Sequence, residues 1–185
     1  MTNSDRKTKI LGIGLSRTGT QSLAVALRML GYRTIHYPRS LADVERHDAA
    51  LDLPVVHWYP FLDRVYPGSR FVLTTRDEQS WLVSCRKHYA APWRQKPPAA
   101  FTIAEQEVAT VDREVYGSWQ FNEEAFLGVK RSHEAFVRSY FADRPDDLLV
   151  LDVVGLGSQQ TWRCLCRFLC HDEIPFPWEN RSEPQ

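Results

Sequence analysis

The chain predicts an α/β fold, a parallel sheet with helices on both faces, and three observations carry that expectation. Short apolar runs bounded by turn residues alternate with longer stretches of helical period. Two of the runs, Phe71-Val72-Leu73 and Leu148-Leu149-Val150-Leu151, are apolar without interruption, as expected of strands covered on both sides. The first run passes straight into a glycine-bearing turn and then a helix, which is the connection a strand–helix–strand unit requires.

Residues 10–15 (Ile-Leu-Gly-Ile-Gly-Leu) read as the first, buried strand, and residues 20–30 as a helix closed by Gly31. A short second strand follows at residues 34–37. After Pro38 the pattern predicts a helix over 41–50 and another over 58–66 that stops at Pro67-Gly68. The third strand is 70–75, with a helix from about 77 to 89. Residues 91–100 contain Pro92, Pro97 and Pro98 and predict a loop; 101–116 and 123–141 are amphipathic helices. Residues 148–153 form the last strand and 159–170 the last helix.

A chain of 185 residues is expected to fold as one domain spanning 1–185, with a flexible polar leader over 1–9. Lysine plus arginine equals aspartate plus glutamate, 23 each, which leaves no overall field for nucleic acid or an anionic membrane. No apolar run approaches the roughly 20 residues of a membrane span, and nothing fits a signal peptide, so a cytoplasmic protein is expected. Its oligomeric state, monomer or homo-oligomer, is left open. Cys85, Cys164, Cys166 and Cys170 do not form a disulfide framework in a chain able to build its own core. They are expected to be buried or half-buried structural thiols rather than metal ligands.

The turn Ser16-Arg17-Thr18-Gly19-Thr20-Gln21-Ser22 carries the chemistry. A nucleotide-hydrolysing loop of form G-x-x-x-x-G-K-[ST] would start at Gly14 and reach Gly19, but Thr20 stands where the lysine belongs and Gln21 where the magnesium-binding hydroxyl belongs. Backbone N–H groups at the helix start still suit an anion. The ligand is therefore expected to be a phosphorylated molecule whose chemistry needs neither that lysine nor a metal, and Asp152, at the end of the last strand, is not expected to hold magnesium. Ligands of parallel sheets bind beyond the carboxyl ends of the strands. Three groups fall there: the loop 16–22; Arg76 with Ser84 on the next helix; and His36, Asp52 and His57.

Strand, Ser16-Arg17-Thr18-Gly19-Thr20, then strand, Arg76 and Ser84, resembles the PAPS-binding pair of the sulfotransferases. Asp52-Leu53-Pro54, the segment Tyr66-Pro67-Gly68-Ser69-Arg70 through Asp77 with Trp81, and Leu148 to Asp152 extend that similarity along most of the chain. The resemblance implies a P-loop-type sheet with a helical substrate cap, here residues 90–128, and transfer of a sulfuryl group from PAPS to a small-molecule acceptor. It implies that Ser16 to Ser22 hold the 5′-phosphosulfate side, with Arg17 in the place of a frequent lysine, and that Arg76 and Ser84 hold the 3′-phosphate. Asp52, His36 and His57 are the candidates for the base, Asp52 first because Asp-x-Pro matches the family pattern. The cap's aromatic residues Trp93, Phe101, Tyr116, Trp119 and Phe121 favour an aromatic or apolar alcohol, while Arg86, Lys87, His88, Arg94 and Lys96 leave an anionic acceptor open. A P-loop kinase or hydrolase and an inactive PAP-binding protein are the rival classes.

Overall fold

The structure, a computed structural model, describes residues 8–152 and 159–172. In chain order its elements are β1 (Ile10–Gly12), α1 (Thr20–Met29), β2 (Thr34–His36), α2 (Leu41–Arg46), β3 (Ala49–Leu51), α3 (Leu53–Val65), β4 (Arg70–Thr75), α4 (Glu78–Tyr89), α5 (Ile103–Tyr116), α6 (Glu123–Tyr140), β5 (Leu148–Asp152) and α7 (Gln159–Phe168). The five strands run in the order β2-β3-β1-β4-β5, and every pairing is parallel. This is the expected α/β architecture, with β1 central and the chain leaving it toward opposite edges. No described helix is long and apolar enough to cross a membrane.

The period of two along the strands divides the core between the faces. Ile10, Ala49, Leu51 and Val72 pack with Leu23 and Leu27 of α1 and with Trp162 and Leu165 of α7. Leu11, Ala50, Phe71 and Leu73 pack the other way, against Tyr59 and Leu62 of α3 and Val137 of α6, with Phe141 just beyond. A third cluster, centred on Trp81, Cys85, Tyr89, Tyr116 and Phe126, joins α4 to the cap helices α5 and α6.

Several expectations are corrected. The helix expected over 41–50 ends at Arg46, and residues 49–51 form β3 between β2 and β1. Helix α3 begins at Leu53, not 58, because Asp52 caps it and Pro54 sits in its first turn, where no intrahelical N–H is needed. Lys9, expected in a flexible leader, is buried; its Nζ donates to the carbonyls of Glu45 and His47, and its backbone N–H donates to Ser69 Oγ. Of the cysteines, Cys85 and Cys166 are buried but Cys164 and Cys170 are exposed. Val153, expected at the end of the last strand, and Arg181, the late cation considered for the 3′-phosphate, lie outside the described residues.

The cap is organised by an ion pair without precedent in the sequence pattern. Arg94 is 2% exposed, donates to Asp112 Oδ2 and to the Trp119 carbonyl at 2.6 Å each, and lies over the rings of Tyr89 and Trp93. Tyr89 Oη donates to the other Asp112 oxygen at 2.7 Å. Both Asp112 oxygens are thus partnered, as a buried carboxylate demands. Trp93, Phe101 and Trp119 pack edge-to-face against one another, and Tyr116 stacks on Phe126 in the interior. The cap aromatics expected to meet the acceptor are spent largely on holding the cap together.

One close approach positions everything downstream of β1. A Cβ at Gly14 would lie 1.8 Å from Thr74 Oγ1 and 2.7 Å from both Thr18 Oγ1 and the Thr74 carbonyl. Backbone atoms are among those neighbours, so Gly14→Ala must push the loop off β4. We expect it to cost about 1–3 kcal/mol, the usual range for overpacking, seen as a lowered urea midpoint with unchanged slope; a midpoint equal to wild type would contradict this packing.

Candidate functional site

The loop between β1 and α1 is held from three sides. Thr18 Oγ1 donates to the Leu15 carbonyl at 2.7 Å and meets Thr74 Oγ1 on β4 at 2.7 Å. Trp81 on α4 donates its indole N–H to the Ser16 carbonyl at 2.9 Å. Arg17 and Gly19 take positive φ, 68° and 95°, so the chain reverses tightly ahead of α1, a conformation that glycine tolerates without cost and arginine does not. Thr18 therefore points inward as part of the scaffold. The cavity above the loop, about 510 Å³, is lined by residues 16–22 together with His36, Asp52, Arg76 and His88.

On one flank of the cavity stand two guanidinium groups. Arg17 Nε donates to Ser84 Oγ at 3.1 Å. Arg76 Nε donates to Ser80 Oγ at 2.9 Å, and its Nη1 lies 3.5 Å from the Arg17 carbonyl. Ser80 is itself set by Asp77, whose carboxylate caps α4. Arg17, Arg76 and Ser84 thus form one cluster at the start of α4, in which Ser84 meets Arg17 and the serine one turn earlier, absent from the sequence reading, meets Arg76.

The opposite flank is Asp52 with His36. Asp52 sits between β3 and α3 at φ 86°, a region strongly disfavoured for a residue with a side chain. It is 7% exposed. One carboxylate oxygen accepts from the Leu53 N–H at 2.9 Å and from Ser16 Oγ at 3.4 Å; the other faces His36 Nε2 at 3.2 Å. His36 Nε2 also lies 3.0 Å from Thr20 Oγ1, so the threonine in the position of a nucleotidase lysine joins this network. Burial pushes the Asp52 carboxyl above the usual range, opposed by His36, the Leu53 N–H, Ser16 and Arg17. Strain and desolvation at one carboxylate make Asp52 a candidate for chemistry.

The third base candidate, His57, is elsewhere. It is exposed, lies 3.9 Å from Glu114, and lines a neighbouring groove. Conversely, His88 lines the cavity, although the sequence reading noted it only as a nearby cation. It stands one helical turn after Ser84, and that i, i+4 spacing was the available signal. Burial, with Arg17 and Arg94 nearby, holds its pKa below that of an ordinary imidazole, favouring the neutral form. Arg94, one of the cations that left an anionic acceptor open, is buried in the cap.

Because burial raises the Asp52 pKa above its unfolded value, folding favours the protonated acid. That contribution is fully present below the unfolded pKa and is lost as pH rises through the folded one, so relative to acid pH this carboxyl weighs against the fold at neutral pH. Asp52→Asn keeps an acceptor for the Leu53 N–H and removes the ionisable group while leaving the backbone strain unchanged. Its melting temperature at neutral pH is expected to equal or exceed that of wild type, with the advantage shrinking toward acid. A loss of several degrees at neutral pH, followed by calorimetry across that range, would count against this reading.

Comparison with known proteins places the chain in a family and a fold. The profile of the Sulfotransferase domain family matches residues 9–47 and 42–184. Ava biosynthesis cluster protein M of Aspergillus versicolor is 31% identical over 107 aligned residues, covering 41% of this chain and 41% of that protein, so the chain spans less than half the length of this relative. A sulfotransferase from Alicyclobacillus acidocaldarius superposes with a TM-score of 0.59 at 14% identity, over 96% of this chain and 87% of the other. Mouse sulfotransferase SULT7A1, solved in complex with PAP, superposes with a TM-score of 0.54 at 14% identity, over 92% and 61%. At such identities the likeness is one of fold, whereas the family profile spans nearly the whole sequence. The chain belongs to the sulfotransferase domain family.

Proposed function

We propose that this chain transfers the sulfuryl group of PAPS to a hydroxyl or amine of a small-molecule acceptor, releasing PAP. The observation that carries the reading is the cavity itself. It joins an anion-binding loop and two guanidinium groups on one flank to a buried carboxylate–imidazole pair on the other. The family assignment and the PAP complex of a structural relative support the same donor.

In the proposed step the acceptor oxygen attacks sulfur in line. A new S–O bond forms, the bond from sulfur to the phosphate oxygen breaks, and negative charge collects on the departing PAP. Arg17 and the N–H groups of the loop stabilise that charge, as fixed dipoles and cations do in phosphoryl transfer. Asp52 takes the acceptor's proton. A carboxyl with raised pKa is a better matched base than an ordinary surface aspartate, and His36 beside it stabilises the ionised form before the transfer. His57, outside the cavity, has no part in this step.

PAP is expected to raise the melting temperature more than ATP, with or without magnesium. At a hundredfold excess over Kd the gain amounts to about 2.7 kcal/mol. Arg76→Ala removes a charge-assisted contact and should weaken PAP by about tenfold or more. A larger shift from ATP with magnesium would favour a nucleotide kinase or hydrolase instead.

Asp52→Asn separates binding from chemistry. PAP affinity should stay near wild type while PAP release from PAPS, assayed over a panel of alcohols, falls by roughly 10²–10⁴. Near wild-type turnover in this variant, with chemistry limiting, removes Asp52 from the role. Tight PAP binding by the wild type with no transfer to any acceptor would identify a binding protein rather than an enzyme.

A further inference from the structure

Beside the cavity lies a second depression of about 590 Å³. Neighbouring residues divide the two: His36 faces the cavity and Tyr37 the groove, while Asp52 faces the cavity and Pro54 the groove. The groove therefore begins one residue beyond His36 and two beyond Asp52 along the chain. Tyr37 and Trp58 give it an aromatic wall, and Ile103, 83% exposed on α5, stands opposite.

The charges in this groove are unbalanced. Glu107 and Glu114 both line it from α5, seven residues apart and hence on one helix face. Among the described residues lining it, Arg39 is the one guanidinium, 3.8 Å from Glu107, and His57 lies 3.9 Å from Glu114. Both contacts are long, and the glutamate side chains are 51% and 47% exposed, so their oxygens keep acceptor capacity for a ligand. Three of the five cap cations that left an anionic acceptor open are committed elsewhere, Arg86 to Glu123, Arg94 to Asp112 and Lys96 to Glu105, and neither Lys87 nor His88 lines the groove.

We propose that this groove is the acceptor subsite and that it takes a small aromatic alcohol bearing an ammonium group. The ring packs against the aromatic wall, the ammonium sits in the combined field of Glu107 and Glu114, and the hydroxyl lies at the end of the groove beside Tyr37 and Pro54. Tyr37 and Trp58 add cation–π attraction, which a neutral or anionic analogue does not receive. The inference rests on the sulfuryl-transfer reading, and its test is built to fail separately from it.

Three phenols of similar size and different charge are titrated into PAP-saturated protein by calorimetry: tyramine, 4-ethylphenol and 4-hydroxyphenylacetate. Tyramine is expected to bind about tenfold more tightly than 4-hydroxyphenylacetate and several-fold more tightly than 4-ethylphenol, and the preference should shrink with added salt. The double variant Glu107→Gln, Glu114→Gln should lose the preference while keeping the wild-type thermal shift with PAP. Salt dependence in the wild type provides the same reading should the variant fold poorly. Equal affinities, a preference for the neutral or anionic phenol, a preference that survives the double variant, or no binding of any phenol at millimolar concentration would each overturn the proposal. If PAP itself gives no shift, the donor assignment falls, and the same ranking on the nucleotide-free protein still decides the groove.

Discussion

The contact between the first loop and β4 is the constraint on which the site depends. Gly14 has no room for a side chain against Thr74, and the Thr18–Thr74 hydroxyl pair closes the same gap at 2.7 Å. With the loop pressed onto the strand, the Ser16 carbonyl comes within reach of the Trp81 indole and Arg17 comes within reach of Ser84. Arg76 leaves the end of that same β4 strand, so the two guanidinium groups share one rigid origin. A small displacement of the loop would separate them, and pre-set donors and cations serve charge development only while they need no reorganisation.

Asp52 shows the complementary situation, a residue that works against the fold where it stands. Its backbone is strained, its carboxylate is desolvated, and it is compensated by one backbone N–H, one serine, one histidine and the nearby Arg17. A more stable choice at a helix N-cap would be an exposed aspartate in extended conformation, as Asp77 is ahead of α4. The difference between these two caps is a physical reason to place the proton chemistry at Asp52.

The cap settles its charges internally and leaves a different balance facing the groove. Arg94 and Asp112 form a closed network with Tyr89 and the Trp119 carbonyl, while α5 turns Glu107 and Glu114 outward. Helix α5 thus contributes to two environments from two faces: Asp112 inward to the cap, the glutamates to the rim. That division follows from the helical period and needs no separate device.

Local backbone physics made much of this legible in the sequence. The strand, turn and helix from Ile10 to Met29, the uninterrupted apolar strands β4 and β5, Arg76 at a strand end and Asp52 before a proline are all short-range patterns, and the parallel sheet follows from their alternation. By contrast, β3 is only Ala49-Ala50-Leu51, and alanine beside a helical pattern carries no strand signal; it becomes a strand because β1 and β2 offer it backbone partners on both edges. The same holds for side chains. Which serine meets Arg76, whether His36 or His57 reaches Asp52, and whether Arg94 faces a ligand or the interior depend on contacts between residues up to dozens of positions apart. Periodicity specifies the face on which a residue lies, and only the packing of one element on another decides what that face meets.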